Sequence, residues 1–275
     1  MGILCVLVLL SACDVVFRLD RVGGADDAGS GYDALMIDVP TGPCMPTEHN
    51  EDNDAVPDRC DVCPGVADNQ VDSDKDGVGD ACDPGDAAQH TLAKFITFAE
   101  PSNTWMAQAG MWMNDGESLK YTSYAMPSHG SVKYTGTLPE PPYVVEAHFQ
   151  IDAVGNEVAA FYMRIDTNQT VMGGTGVACS FDRFINPLRD TVRALDTTSG
   201  VAASTNLVPM VSPGGYRMVA TYTRSQNLSC YLSADDQSTS GTAPQPTQPI
   251  SPGAFGFRSY KVGATLNWIA IYKTL

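Results

Sequence analysis

The sequence predicts a mainly β protein. A two-sheet β-sandwich over residues 91–275 follows an irregular segment, 44–86, that has too few apolar residues to fold by burial alone. Three observations lead there. After Thr91, short apolar alternations of period two recur between Gly, Pro and Asn/Asp breaks. No run sustains the 3.6-residue period of a long helix. Between Asn50 and Asp83, aspartates recur at every second residue among cysteines.

The 275 residues allow one or two domains. Charge separates the chain into two regions. Asp14 to Asp86 carries 19 acidic and 4 basic residues, whereas Ala87 to Leu275 carries 13 and 12, so the formal charge of −16 belongs almost wholly to the first third. A locally acidic segment beside a near-neutral domain points to cation binding. It excludes nucleic acid as a partner, because that ligand requires a basic face. Outside the leader, six of the eight cysteines form an even set, which fits an oxidising compartment.

Taken in order, the chain opens with Ile3 to Leu10, an apolar run too short to span a bilayer but suited to a signal-peptide core. Leu10-Ser11-Ala12-Cys13 follows, and residues 1–13 resemble a bacterial lipoprotein signal with its lipobox. The resemblance implies that Cys13 becomes a lipidated N-terminus, with the membrane as partner and the bacterial cell envelope, periplasmic or surface-exposed, as location. Each buried acyl methylene would contribute about 0.8 kcal/mol. The Met1-Gly2 start departs from that pattern in having no Lys or Arg. Residues 14–43, rich in Asp, Gly and Ala and without a sustained period, read as a flexible acidic linker.

In the acidic segment, Asp72, Asp74, Asp76 and Asp80 occupy positions 1, 3, 5 and 9 of a loop with Gly77 at position 6. Oxygen donors at that spacing converge on one hard cation, and the glycine permits the sharp turn. The pattern recurs upstream as Asn50, Asp52, Asp54 and Asp58, with Ala55 in the glycine position. Cys60-x-x-Cys63 is also a zinc spacing, but the surrounding donors are Asp and Asn oxygens, which suit Ca²⁺. An EF-hand would require flanking amphipathic helices, which Pro57, Pro64 and Pro84 interrupt.

Asp58-Arg59-Cys60-Asp61-Val62-Cys63-Pro64 followed by DSDKDGVGDACD resembles the thrombospondin type 3 repeat, a family in which calcium replaces a hydrophobic core and disulfides staple the wrapped chain. The resemblance implies side-chain ligands at Asp52, Asp54, Asp58, Asp72, Asp74, Asp76 and Asp80. It further implies a carbonyl ligand at Val78, and Asp61 and Asn69 completing shared sites. Between Cys63 and Asp72 the spacing is one residue short, so that Asp68 or Asn69 serves. Of the three connectivities open to four cysteines, we take Cys44–Cys60 and Cys63–Cys82, loops of about 15 to 20 residues worth roughly 3 kcal/mol each. For an extracellular module of this kind, calcium dissociation constants of about 10⁻⁴ to 10⁻³ M are usual.

Beyond Thr91, the alternating segments include Tyr143–Asp152, Val158–Asp166, Tyr216–Arg224 and Leu266–Tyr272. In the first, Val145, Ala147, Phe149 and Ile151 share one face, while Glu146, His148 and Gln150 share the other, as in a half-buried antiparallel strand. The opening FITFAEPSNTWMAQAGMWMNDGESL and the closing GAFGFRSYKVGATLNWIAIYKTL resemble the first and last strands of concanavalin A-like or laminin-G-like jelly rolls. Cys179 and Cys230 can join across about 50 residues, worth roughly 4 kcal/mol. Trp105, Trp112 and Trp268 are expected in core packing rather than sugar stacking, and His148 on an exposed strand face.

No catalytic motif emerges, and the protein is not expected to be an enzyme. A glycosidase would need two carboxylates about 5 to 9.5 Å apart. Glu146 and Asp152, six residues apart on one strand, would stand about 20 Å apart. The sequence therefore describes a calcium-binding surface lipoprotein whose stiffened stalk presents a lectin-like sandwich to a glycan or surface protein. A glycoside-acting enzyme using the sandwich groove and a structural envelope spacer are the alternatives.

Overall fold

A computed structural model describes residues 49–85, 89–99, 104–122, 129–166, 175–223, 227–246 and 254–275. The leader with Cys13, the linker 14–43 and Cys44 lie outside them. The first described stretch, here called the collar, contains one 3₁₀ turn, Asp58–Cys60, and is otherwise irregular.

Fifteen strands follow among the described residues. They are β1 (His90–Ile96), β2 (Trp105–Ala109), β3 (Trp112–Asn114), β4 (Leu119–Tyr121) and β5 (His129–Tyr134). Then come β6 (Tyr143–Val154), β7 (Ala159–Asp166), β8 (Gly176–Ile185), β9 (Leu188–Asp196) and β10 (Val201–Leu207). The last five are β11 (Gly214–Tyr222), β12 (Asn227–Ala234), β13 (Ser240–Pro246), β14 (Ala254–Tyr260) and β15 (Val262–Thr274). They form two antiparallel sheets. The first runs β13-β12-β11-β6-β15-β4-β3, with β1 also paired to β15, and the second runs β10-β9-β8-β7-β14-β5-β2. Each of the four alternating segments read from sequence lies largely within one of these strands: β6, β7, β11 and β15.

The alternation places the core. Val145, Ala147, Phe149 and Ile151 of β6 meet Phe161, Met163 and Ile165 of β7, with Phe181, Met218, Phe255 and Phe257 in the same buried cluster. Cys179 and Cys230, both in that cluster, form a disulfide from β8 to β12 with Cα atoms 5.3 Å apart, so it joins the two sheets. Trp105 and Trp112 pack against this core, and Trp105 lies among Phe98, Tyr134, Phe255 and Phe257. The Asp115-Gly116 turn joins β3 to β4 as a hairpin, with Gly116 at φ +95°.

Trp268 departs from the simple alternation. The register of β15 against β6 shifts between Leu266 and Trp268. A bulge there adds one residue and reverses the parity. Leu266 and Ile269 stay in the core, while Trp268 turns to the outer face of the first sheet. There it forms a second buried cluster with Val144, Ala270 and Tyr272 of the sheet and Cys63, Val78 and Cys82 of the collar. The collar is thus laid on the sheet, not projected from it as a stalk. Its small apolar floor joins these three collar residues to the sheet's Val144, Trp268, Ala270 and Tyr272.

Candidate calcium collar and adjoining groove

The collar wraps around its aspartates because each short side chain accepts hydrogen bonds from amides two or three residues ahead, which bends the chain without a helix or strand. Asp52 Oδ1 accepts from Asp54 N at 3.0 Å, Asp61 Oδ1 from Cys63 N at 2.7 Å, and Asp72 Oδ1 from Lys75 N at 2.7 Å. The two loops share an unusual backbone feature. Position 4 of each, Asn53 and Lys75, lies in the left-handed region, at φ 60° and 64°. Gly77 closes the second loop at φ +93°, whereas Ala55 has no such conformation, so the first loop closes differently.

Carboxylate oxygens of Asp52, Asp54 and Asp61 lie within 4.8 Å of one another, as do those of Asp72, Asp74 and Asp76. A third group, Asp76, Asp83 and His90, sits where the collar meets β1. His90 Nδ1 is 2.8 Å from Asp83 Oδ1, and the His90 amide donates to Asp76. Asp76 therefore ties the second loop to the first strand.

The first cluster carries unsatisfied oxygens. Asp52 Oδ2, Asp61 Oδ2 and Asp68 Oδ2 are buried with no hydrogen-bond partner. A buried carboxylate oxygen without a donor is unfavourable by several kcal/mol unless it is protonated or meets a cation. Burial accordingly raises Asp61 to about 6 and pushes Asp52 above the ordinary carboxylate value. Gln70 Nε2 donates to Asp61 Oδ1 and Asp68 Oδ1 at 2.8 Å each and to Asp54 Oδ2 at 3.2 Å, so one amide draws three carboxylates together. The donors are hard oxygens at loop spacing, a set that fits Ca²⁺.

Several expected ligands stand elsewhere. Asp58 is turned to other partners: its Oδ1 accepts from Glu51 N at 2.7 Å and its Oδ2 lies 2.6 Å from His49 Nδ1. Asp61 takes the third place beside Asp52 and Asp54. Asp80 accepts from the Ser73 amide at 2.7 Å and hydroxyl at 2.6 Å, which hold its carboxyl below the usual range, instead of joining Asp72, Asp74 and Asp76. Asn69 is exposed, whereas Asp68 has a buried oxygen without a partner and shares Gln70 with Asp61. Val78, expected to offer a carbonyl, also buries its side chain against Trp268 and the disulfide. Gln70 escapes sequence reading because an isolated glutamine carries no ligand signal.

Cys63 and Cys82 are joined, with Cα atoms 5.6 Å apart. Cys60 is also disulfide-bonded, and the expected Cys44–Cys60 pairing falls on Cys44, which lies outside the described residues.

A polar groove of about 560 Å³ lies between residues 49–53 of the collar, the β3–β4 hairpin and the outer face of the first sheet. Lys120, Thr265 and Gln150 stand opposite one another across β4, β15 and β6 on its floor. Alongside it, the outward residues of β6 differ from the exposed row expected. Glu146 is buried and accepts from Arg217 Nε at 2.6 Å, so it is not a free acid. His148 stacks on Trp268 at 5.6 Å, with Nε2 3.0 Å from Asp235 Oδ2, and of Glu146, His148 and Gln150 only Gln150 is exposed.

No sequence family and no curated protein matches this chain. Solved structures do. A winged bean acidic lectin complexed with methyl-α-D-galactose is 12% identical at a TM-score of 0.50, covering 66% of this chain and 99% of its own. The Ca²⁺-bound exoplasmic/lumenal domain of VIP36 is 12% identical at 0.48, covering 63% and 85%. The CBM2 module of the Lactobacillus casei BL23 phage J-1 evolved Dit is 11% identical at 0.46, covering 67% and 96%. At such identities the likeness is one of fold. The sandwich is a legume-lectin-like jelly roll, the concanavalin A-like architecture that the first and last strands resemble in sequence.

Proposed function

We propose that this chain is a calcium-binding, glycan-recognising protein in which metal orders the collar against a lectin-like sandwich. The observation that carries this reading is the first cluster: three convergent carboxylates, with buried oxygens of Asp52, Asp61 and neighbouring Asp68 that no protein donor satisfies. Asp52, Asp54, Asp61 and Asp68 hold one ion. Asp72, Asp74 and Asp76 hold a second. The thrombospondin type 3-like spacing supports the same assignment. The jelly-roll fold and the polar groove support a sugar as ligand. Cys13, by its lipobox-like setting, anchors the chain to the cell envelope.

The test is a calcium titration of the full chain, followed by calorimetry and by hydrogen exchange of residues 49–83. Saturable binding at sub-millimolar to millimolar calcium, with slowed exchange in the collar, is expected. Identical exchange in chelator and in 5 mM calcium would overturn the metal reading.

A further inference from the structure

The outer face of the first sheet carries a site distinct from the calcium clusters. The groove's walls belong to three chain segments far apart in sequence: the collar at Asn50 and Asn53, the hairpin at Asp115 and Glu117, and the sheet at Gln150 and Asn267. The bulge in β15 that turns Trp268 outward falls at Asn267.

Its chemistry is specific. The side-chain amides of Asn50, Asn53, Gln150 and Asn267 each offer a donor and an acceptor. Two of their oxygens, Asn50 Oδ1 and Asn267 Oδ1, have no hydrogen-bond partner although they are buried. Asn50 Nδ2 is already committed to the Asp54 carbonyl at 2.9 Å, so its oxygen is the end left over. The cation and several carboxylates are internally matched: Lys120 Nζ lies 2.7 Å from Asp115 Oδ2, and Thr265 Oγ1 donates to Asp152 Oδ2 at 2.7 Å. The lining holds four carboxylates, Glu51, Asp115, Glu117 and Asp152, against Lys120 and His49, and no guanidinium. An anionic ligand would meet net repulsion there. Amides that donate and accept, beside carboxylates that only accept, suit neutral hydroxyls, each of which gives one bond and takes others.

From this geometry we infer that the groove between collar and sandwich is a binding site for a neutral, polyhydroxylated saccharide, read by Gln150 and Asn267. The inference rests on the glycan-binding reading above and locates it on the outer face of the first sheet, against the collar.

The test uses the full chain in millimolar calcium, titrated with neutral malto-, xylo- and manno-oligosaccharides, with a heparin oligosaccharide and with spermine. Side-chain amide resonances and calorimetry report binding. The expected result is saturable binding of at least one neutral oligosaccharide, with shifts of the Asn and Gln amides of the groove. Gln150→Ala and Asn267→Ala should each weaken it about tenfold at unchanged melting temperature. Gln150 is exposed, so its variant keeps the test valid should Asn267→Ala perturb the bulge. Neutral-saccharide binding that both variants leave intact would overturn this site while leaving glycan recognition standing. Binding of spermine or heparin in preference would overturn the ligand class. Failure of every saccharide to bind would overturn the glycan reading itself.

Discussion

Gly65 decides how closely the collar approaches the sheet. A Cβ at this position would lie 2.5 Å from the Trp268 ring, and the neighbouring ring atoms are nearly as close. The indole is held by Phe95 on one side and His148 on another, so it has little room to yield. Gly65→Ala should therefore destabilise the docked collar by about 1–3 kcal/mol, the usual penalty for overpacking. A red-shifted Trp268 emission and faster proteolysis within residues 49–85 would report it. Unchanged emission and cleavage would mean that the collar does not rest on Trp268. Gly77 is a contrasting case. Nothing lies within 4 Å of its would-be Cβ, but φ of +93° makes any side chain there strained. The sequence pattern identifies Gly77, because a glycine at loop position 6 has a local reason. It does not identify Gly65, whose reason is a tryptophan 203 residues away.

At the scale of elements, the collar replaces regular hydrogen bonding with three devices: Asx turns, a disulfide and convergent carboxylates. The Cys63–Cys82 bond closes a loop 19 residues apart in sequence and also forms part of the apolar floor with Val78. Replacing both cysteines by serine should lower collar stability by roughly 3 kcal/mol through the freed loop. Calcium affinity should fall with it, since the second loop lies inside that span. Calorimetry on the variant checks this, and an unchanged calcium affinity would separate the disulfide from the metal sites. In the sandwich, strand positions are legible because a two-residue period has one cause, a sheet with one buried face. The bulge in β15 is not legible. Leu266-Asn267-Trp268-Ile269 reads as plain alternation until the register against β6 is known.

For the whole molecule, collar and sandwich belong to one compact unit, and the collar's stability should depend on pH in a direction that its burial sets. Burial raises Asp61 to about 6 and Glu51 to about 7. A carboxyl raised on folding holds its proton better in the folded state. Its contribution is complete below the ordinary value near 4 and is lost as pH climbs through that window. Asp80 is shifted the other way, and its effect falls below pH 4. In chelator, hydrogen exchange of residues 49–83 should therefore quicken from pH 4 to about 7, after correction for intrinsic rates. In millimolar calcium the trend should flatten or reverse, because the ionised carboxylates are the ligands. A collar equally protected across that range in chelator would contradict the buried, unsatisfied oxygens.

The sequence by itself determined the local matters: a β-sandwich from its alternation and a metal-suited loop from aspartates at every second position. Only the tertiary structure brought Asp61 within 4.8 Å of Asp52 and Asp54 and turned Asp58 to His49 and the Glu51 amide. It alone placed Trp268 under the collar instead of in the core, and it alone opened a polar groove between them. The physical reason is the range of the cause. Periodicity and loop spacing follow from backbone geometry over a few residues, whereas ligand choice, docking and groove depend on which surfaces meet after the chain has closed on itself.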